Sequence, residues 1–124
     1  MLDLDRTVSG HVAGLIESVV PGAMPYIFGH VGDGNLHLTV WPADSVPGLL
    51  EERKASLVEA IDELVWEYNG TISAEHGIGQ ELIDRAVGQK PPTELDLMRR
   101  IKRAFDPDGV LNPGTTRGTN WVDR

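Results

Sequence analysis

The 124-residue chain contains no cysteine. Disulfides and thiolate ligands are therefore excluded, and any metal site must be built from His, Asp or Glu. No apolar run approaches the ~20 residues that a membrane-spanning helix needs. The opening MLDLDRTVSG is acidic and lacks the apolar stretch of a secretory signal, so a cytoplasmic location is expected. Basic residues are scarce: eleven Lys and Arg against nineteen Asp and Glu leave a net charge of −8. That balance argues against a nonspecific nucleic-acid surface, which needs positive charge. Repeats and low-complexity tracts are also missing.

What is present reads as an ordinary globular segment with room for a core. SGHVAGLIESVVPG places Val12, Leu15, Ile16 and Val19 at helical spacing, with Ser9 as the expected N-cap and Pro21-Gly22 as the stop. PYIFGHVG and NLHLTVW alternate like two strands of a hairpin. In LLEERKASLVEAIDELVWEYNG, the residues Leu57, Val58, Ile61, Leu64, Val65 and Tyr68 form one apolar stripe, ended by Asn69-Gly70. TISAEHG reads as a short third strand and QELIDRAVG as two turns of helix. PPTELDLMRRIKRAFDPDG reads as a last helix, with Thr93 as N-cap and Asp96 completing a weak capping box. Its expected buried face is Leu97, Met98, Ile101, Ala104 and Phe105. DPDGVLNPGTTRG contains two Pro-led turns and no regular element.

These elements predict an α+β fold: a small antiparallel sheet covered on one side by helices, followed by a C-terminal helix and an irregular tail. Arg99, Arg100, Lys102 and Arg103 are four of the eleven basic residues. With Glu94 and Asp96 at the same helix's start, they follow the helix dipole and read as a solvated face rather than a phosphate site.

The chemistry concentrates in FGHVGDGNLHLTV, residues 28–40. With Gly32-Asp33-Gly34-Asn35 as loop, Val31 faces Leu36 and His30 faces His37, at the ~4.5–5.5 Å Cβ spacing of opposed residues. Alternation then puts Ile27, Gly29, Val31, Leu36, Leu38 and Val40 on an apolar core face. Tyr26, Phe28, His30, His37, Thr39 and Trp41 fall on the other, which is aromatic and polar together, the composition of a ligand site. Two imidazoles so placed need a third ligand, and ISAEHGIG offers Glu75 and His76. In a regular strand those two point to opposite faces, so a bulge or strand end at Gly77 is expected. Gly77-Ile78-Gly79 is expected to open the next helix with free N–H groups. His11, alone on its helix, is assigned a structural role. His-His-Glu with an open position suits Zn²⁺ and other divalent metals. It is equally compatible with a metal-dependent hydrolase or with a noncatalytic binding module.

FGHVGDGNLHLTV, ISAEHGIG and ELDLMRRIKRAFDPDGVLNPG, in this order, resemble the C-terminal part of FAD-linked oxidases of the vanillyl-alcohol oxidase class. The likeness is to D-lactate, D-2-hydroxyglutarate and glycolate dehydrogenase subunits, and it runs from about Ser9 to Thr115. It implies that His30, His37 and Glu75 bind a divalent metal, Zn or Mn, beside the flavin. It also implies that His76 is the general base for a small 2-hydroxy-acid substrate. Thr39 stands where close relatives often carry Asn, which implies a substrate-binding role, and Asn112 matches the segment that returns to FAD. The chain is then a fragment: about residues 9–90 from the substrate and metal domain, and about 91–124 as the helix and tail that return to the flavin domain. The FAD-binding domain that the family carries ahead of this part is not in it. Alone, the fragment is expected to be inactive and to self-associate.

Overall fold

A computed structural model describes residues 4–30 and 32–114, so Val31 and Thr115 lie outside the described residues. Six elements follow in order: α1 (Leu4–Val19), β1 (Met24–His30), β2 (Asn35–Trp41), α2 (Leu49–Glu67), α3 (Ile83–Gln89) and α4 (Pro92–Phe105). β1 and β2 pair antiparallel as a two-stranded sheet, and the α+β expectation holds. The chain forms two compact units, one ending at Gly70 and the other beginning at Thr71.

In the first unit the core is Ile16, Val20, Ala23 and Leu57, flanked by Val12, Val19, Leu38, Val40, Leu49, Leu50 and Ile61. Ile16 and Val20 lie one turn apart and are almost wholly removed from water, a gain of about 1.5–3 kcal/mol each. A lone hairpin is marginal in water. Here the apolar face of the sheet rests on the helices, and this packing holds it.

α1 begins at Leu4 and runs through Ser9, so Ser9 is not its N-cap. A serine or glycine inside a helix costs at most about 1 kcal/mol relative to alanine, which the packing of Val12 and Ile16 offsets. The stop is where expected: Gly22 has φ +79°, and its N–H donates to the Glu17 carboxylate over 3.0 Å. His11 Nδ1 is hydrogen-bonded to the Tyr68 hydroxyl, linking α1 to the end of α2.

α2 closes through Asn69 and Gly70, as its sequence indicates. Asn69 takes φ +54°, its N–H donates to the Trp66 carbonyl, and the Gly70 N–H donates to the Val65 carbonyl. That bond pair is a Schellman motif with asparagine, the residue after glycine most tolerant of this conformation, at the left-handed position.

The second unit departs further from expectation. TISAEHG forms no strand. α3 starts only at Ile83, so Gly77-Ile78-Gly79 precedes it as a loop with two positive φ values and does not supply its first turn. α4 is capped by Pro91 with Pro92 in its first turn, and Thr93 makes no capping bond. Proline is well suited there, since its φ is preset and its missing N–H has no helical partner to lose. Of the face expected to be buried, Leu97, Ile101, Ala104 and Phe105 are exposed, Phe105 by 80%. Leu95 is buried instead. Helical spacing reveals which side seeks apolar cover; it does not guarantee that so short a segment supplies that cover.

Lys102 also departs from a purely solvated basic face. Its ammonium donates to Asp106 and to the Leu111 carbonyl, both at 2.6 Å. The buried Asp106 carboxylate further accepts the N–H groups of Val110 and Leu111 at 2.9 and 3.0 Å, folding the DPDGVL turn back onto the end of α4. The Lys102 hydrogen bond, helped by these two N–H groups, holds the Asp106 carboxyl below its ordinary value against the opposing effect of burial. A carboxylate whose folded value is depressed stabilises the fold above its unfolded value and loses that contribution as pH falls through the folded one. Asp106→Asn should therefore lower the thermal midpoint at pH 7, with the gap from wild type closing as pH drops below the carboxylate range. A gap that persists unchanged into acid would contradict this role.

Candidate functional site

The hairpin register differs from the one that the sequence suggests. His30 pairs with Asn35, Gly29 with Leu36, Phe28 with His37 and Tyr26 with Thr39. The described residues of the turn are 32–34. The Asp33 N–H donates to the His30 carbonyl over 3.0 Å, and Gly34 at φ +66° completes the reversal. Asn35 consequently belongs to β2 and not to the loop.

The difference amounts to two residues in the pairing, and a two-residue shift leaves every side chain on its original face. The core-face assignments of Ile27, Leu38 and Val40 survive, and Tyr26, Phe28, His30, His37, Thr39 and Trp41 share the opposite face. On that face Met24, Tyr26, Phe28 and Trp41 are 51–68% exposed.

Gly29 fixes the closeness of the two strands. A Cβ there would lie 2.0 Å from the Asn35 carbonyl oxygen, a contact no side chain can make without moving backbone.

His30 and His37 thus meet diagonally rather than directly across. Their ring centroids are 5.5 Å apart, edge to face, and each offers a ring nitrogen within 4.8 Å of the other's. Phe28 occupies the directly opposed position and stacks on His37, with centroids 5.0 Å apart and planes 16° from parallel. Tyr26 continues the row at 5.7 Å from Phe28. The stack on His37 escaped the sequence reading because its register placed His30 opposite His37. No sequence signal separates the two registers, because both keep the same residues on each face.

Asn35, opposite His30, was likewise missed. It is buried, with no hydrogen-bond acceptor for its Nδ2 among the described residues. A buried amide donor of this kind favours an incoming carboxylate or hydroxyl as its partner.

Glu75 and His76 belong to the second unit, in the loop before α3. Without strand alternation they need not diverge: Glu75 Oε2 and His76 Nε2 are 3.9 Å apart, with His76 the more exposed. The Ser73 hydroxyl donates to the Gly77 carbonyl over 2.7 Å, closing the backbone around both residues. Gly77 at φ +72° permits that reversal. Thr39 is exposed on the histidine face of β2. Asn112 lies in the tail at φ +46°, next to Pro113, whose carbonyl accepts from Gln80 Nε2 at 3.3 Å.

Paired imidazoles suit borderline divalent metals such as Zn²⁺, and a carboxylate widens the choice to Mn²⁺. A histidine next to a carboxylate suits proton transfer near neutrality.

Comparison with known proteins supplies the context for these groups. Residues 10–116 match the family model described as FAD linked oxidases, C-terminal domain. The D-2-hydroxyglutarate dehydrogenase of Stutzerimonas stutzeri is 42% identical over 88 residues, covering 70% of this chain and 19% of that protein. The glycolate oxidase subunit GlcD of Escherichia coli K12 is 44% identical over 85 residues, 68% of this chain and 17% of that subunit. The D-lactate dehydrogenase of Anaerostipes hadrus is 37% identical over 87 residues, 70% of this chain and 18% of that enzyme. The aligned part spans about a fifth of the length of these relatives. Hairpin, glutamate-histidine loop, α4 and the DPDGVLNPG turns all fall inside the matched region, and the chain belongs to the FAD-linked oxidases, as a C-terminal domain of that family.

Proposed function

We propose that this chain is the metal- and substrate-binding portion of an FAD-dependent 2-hydroxy-acid dehydrogenase or oxidase. The observation that carries the reading is the pair His30 and His37 on the non-core face of the hairpin, in a chain of this family. Hydroxyglutarate, lactate and glycolate, the compounds in the relatives' names, share a hydroxyl adjacent to a carboxylate.

In this reading His30 and His37 hold a divalent metal, Zn or Mn, through ring nitrogens, with the Glu75 carboxylate as third ligand. When bound, that ion supplies Lewis acidity that lowers the pKa of the substrate hydroxyl. FAD, held mainly by a flavin-binding domain of the full enzyme, supplies the hydride acceptor. His76 takes the hydroxyl proton on a ring nitrogen as the α-hydrogen leaves with its electron pair. Thr39 orients the acid from β2, and Asn112 approaches the cofactor from the tail. The exposed Leu97, Ile101 and Phe105 of α4 are cover for that flavin domain, and without it the chain is inactive.

His37→Ala should abolish stoichiometric Zn²⁺ or Mn²⁺ binding, measured by titration calorimetry, while far-ultraviolet circular dichroism is retained. Unchanged affinity would remove the metal site. In a complete enzyme with its flavin domain, His76→Ala should lower turnover by about two to four orders of magnitude with metal content preserved. It should also lose the acidic limb of the pH–rate profile. Glu75→Ala should lose the metal first. Metal lost from His76→Ala but kept by Glu75→Ala would exchange the two roles.

A further inference from the structure

Phe28 stacks on the face of His37. The two are opposed across the β1–β2 ladder, 5.0 Å between centroids and 16° from parallel. Tyr26 packs on Phe28 from the next position of the same face, at 5.7 Å and 49°. His30 meets His37 at 78°, edge to face. His37 thus stands in a row of rings, with its plane nearly parallel to that of Phe28.

An imidazole's plane is poorly determined by its own covalent structure. The last torsion of histidine joins sp³ to sp² carbon and is broad, without the three sharp wells of an aliphatic side chain. The lone pair that binds a metal lies in that plane. A half-exposed histidine on a strand therefore presents its lone pair over a wide arc unless something holds the ring. A hydrogen bond from the second nitrogen is the usual restraint. A parallel ring on the imidazole face is another, acting through the face and not through the edge where the nitrogens lie. Offset stacking favours this parallel geometry through the quadrupoles of the two rings.

We propose that Phe28 is the positioning residue of His37, holding the imidazole plane so that a ring nitrogen stays turned toward His30. This role rests on the metal-binding reading above. Phe28 is 51% exposed, on the side of the sheet away from the core, so a change there need not disturb Ile16, Val20 or Leu57. It is also one step along β1 from Gly29, where an added Cβ would meet the Asn35 carbonyl.

The test compares wild type, Phe28→Leu, Phe28→Tyr and His37→Ala in the full chain, with Zn²⁺ alone as the probe. Leucine keeps apolar bulk but has no planar face, whereas tyrosine restores the ring. Phe28→Leu should bind Zn²⁺ about 10- to 100-fold more weakly, the loss typical when a ligand's orienting partner is removed. Phe28→Tyr should recover most of that affinity. In metal-free samples, the ring protons of His37 should be shifted upfield by Phe28 in wild type and in Phe28→Tyr, and should move downfield in Phe28→Leu. Phe28→Leu binding as tightly as wild type would overturn this role while leaving the metal site standing. A weakened Phe28→Leu with unmoved His37 resonances, or no rescue by tyrosine, would also overturn it. Wild type that takes up no Zn²⁺, indistinguishable from His37→Ala, would overturn the metal reading and this role with it.

Discussion

A side chain at position 29 would put its Cβ 2.0 Å from the Asn35 carbonyl oxygen, and glycine there is what lets β1 and β2 close into their observed register. From that register everything on the exposed face follows. Phe28 lands opposite His37, His30 lands opposite Asn35, and the two imidazoles become diagonal neighbours with ring nitrogens within 4.8 Å. Two nitrogens bound to one tetrahedral zinc lie about 3.4 Å apart, given Zn–N bonds of ~2.0–2.1 Å. Strand alternation turns Leu38 and Val40 the other way, against the core.

Much of this was legible in the chain. Period-two alternation in PYIFGH and NLHLTVW identifies the strands and sorts their faces, and the apolar stripe of α2 with Asn69-Gly70 identifies that helix and its end. The pairing was less legible, because GDGN admits more than one four-residue loop and alternation cannot distinguish registers two residues apart. The result was a correct set of residues on the histidine face with an incorrect choice of direct partners. TISAEHG misled for a different reason. Its β-branched Thr71 and Ile72 carry strand propensity, but propensity of this kind mostly reflects packing on a neighbouring strand, and none pairs with it among the described residues. The loop that forms instead, closed by Ser73 and Gly77, removes the alternation that had set Glu75 and His76 on opposite sides.

The second unit illustrates how a small segment distributes its apolar and charged groups. Leu97, Ile101 and Phe105 recur every four residues along α4 and remain exposed, whereas Asp106 just beyond them is buried with an ammonium and two backbone N–H groups around it. Sequence patterning located the apolar stripe but read Lys102 as part of a solvated basic face. A buried carboxylate without a partner is costly, and Lys102 four residues earlier is placed to prevent that cost. The tail that follows is therefore shaped by a charged contact, although its sequence contains only turn signals.

The relation between register and function has a direct physical readout. Cross-strand nuclear Overhauser contacts in the isotope-labelled chain report which backbone positions face each other, independently of metal, flavin or activity. Contacts linking Phe28 with His37 and His30 with Asn35 are expected, together with ring-to-ring contacts between Phe28 and His37. Backbone contacts placing His30 directly across from His37, with no ring contact to Phe28, would contradict that register.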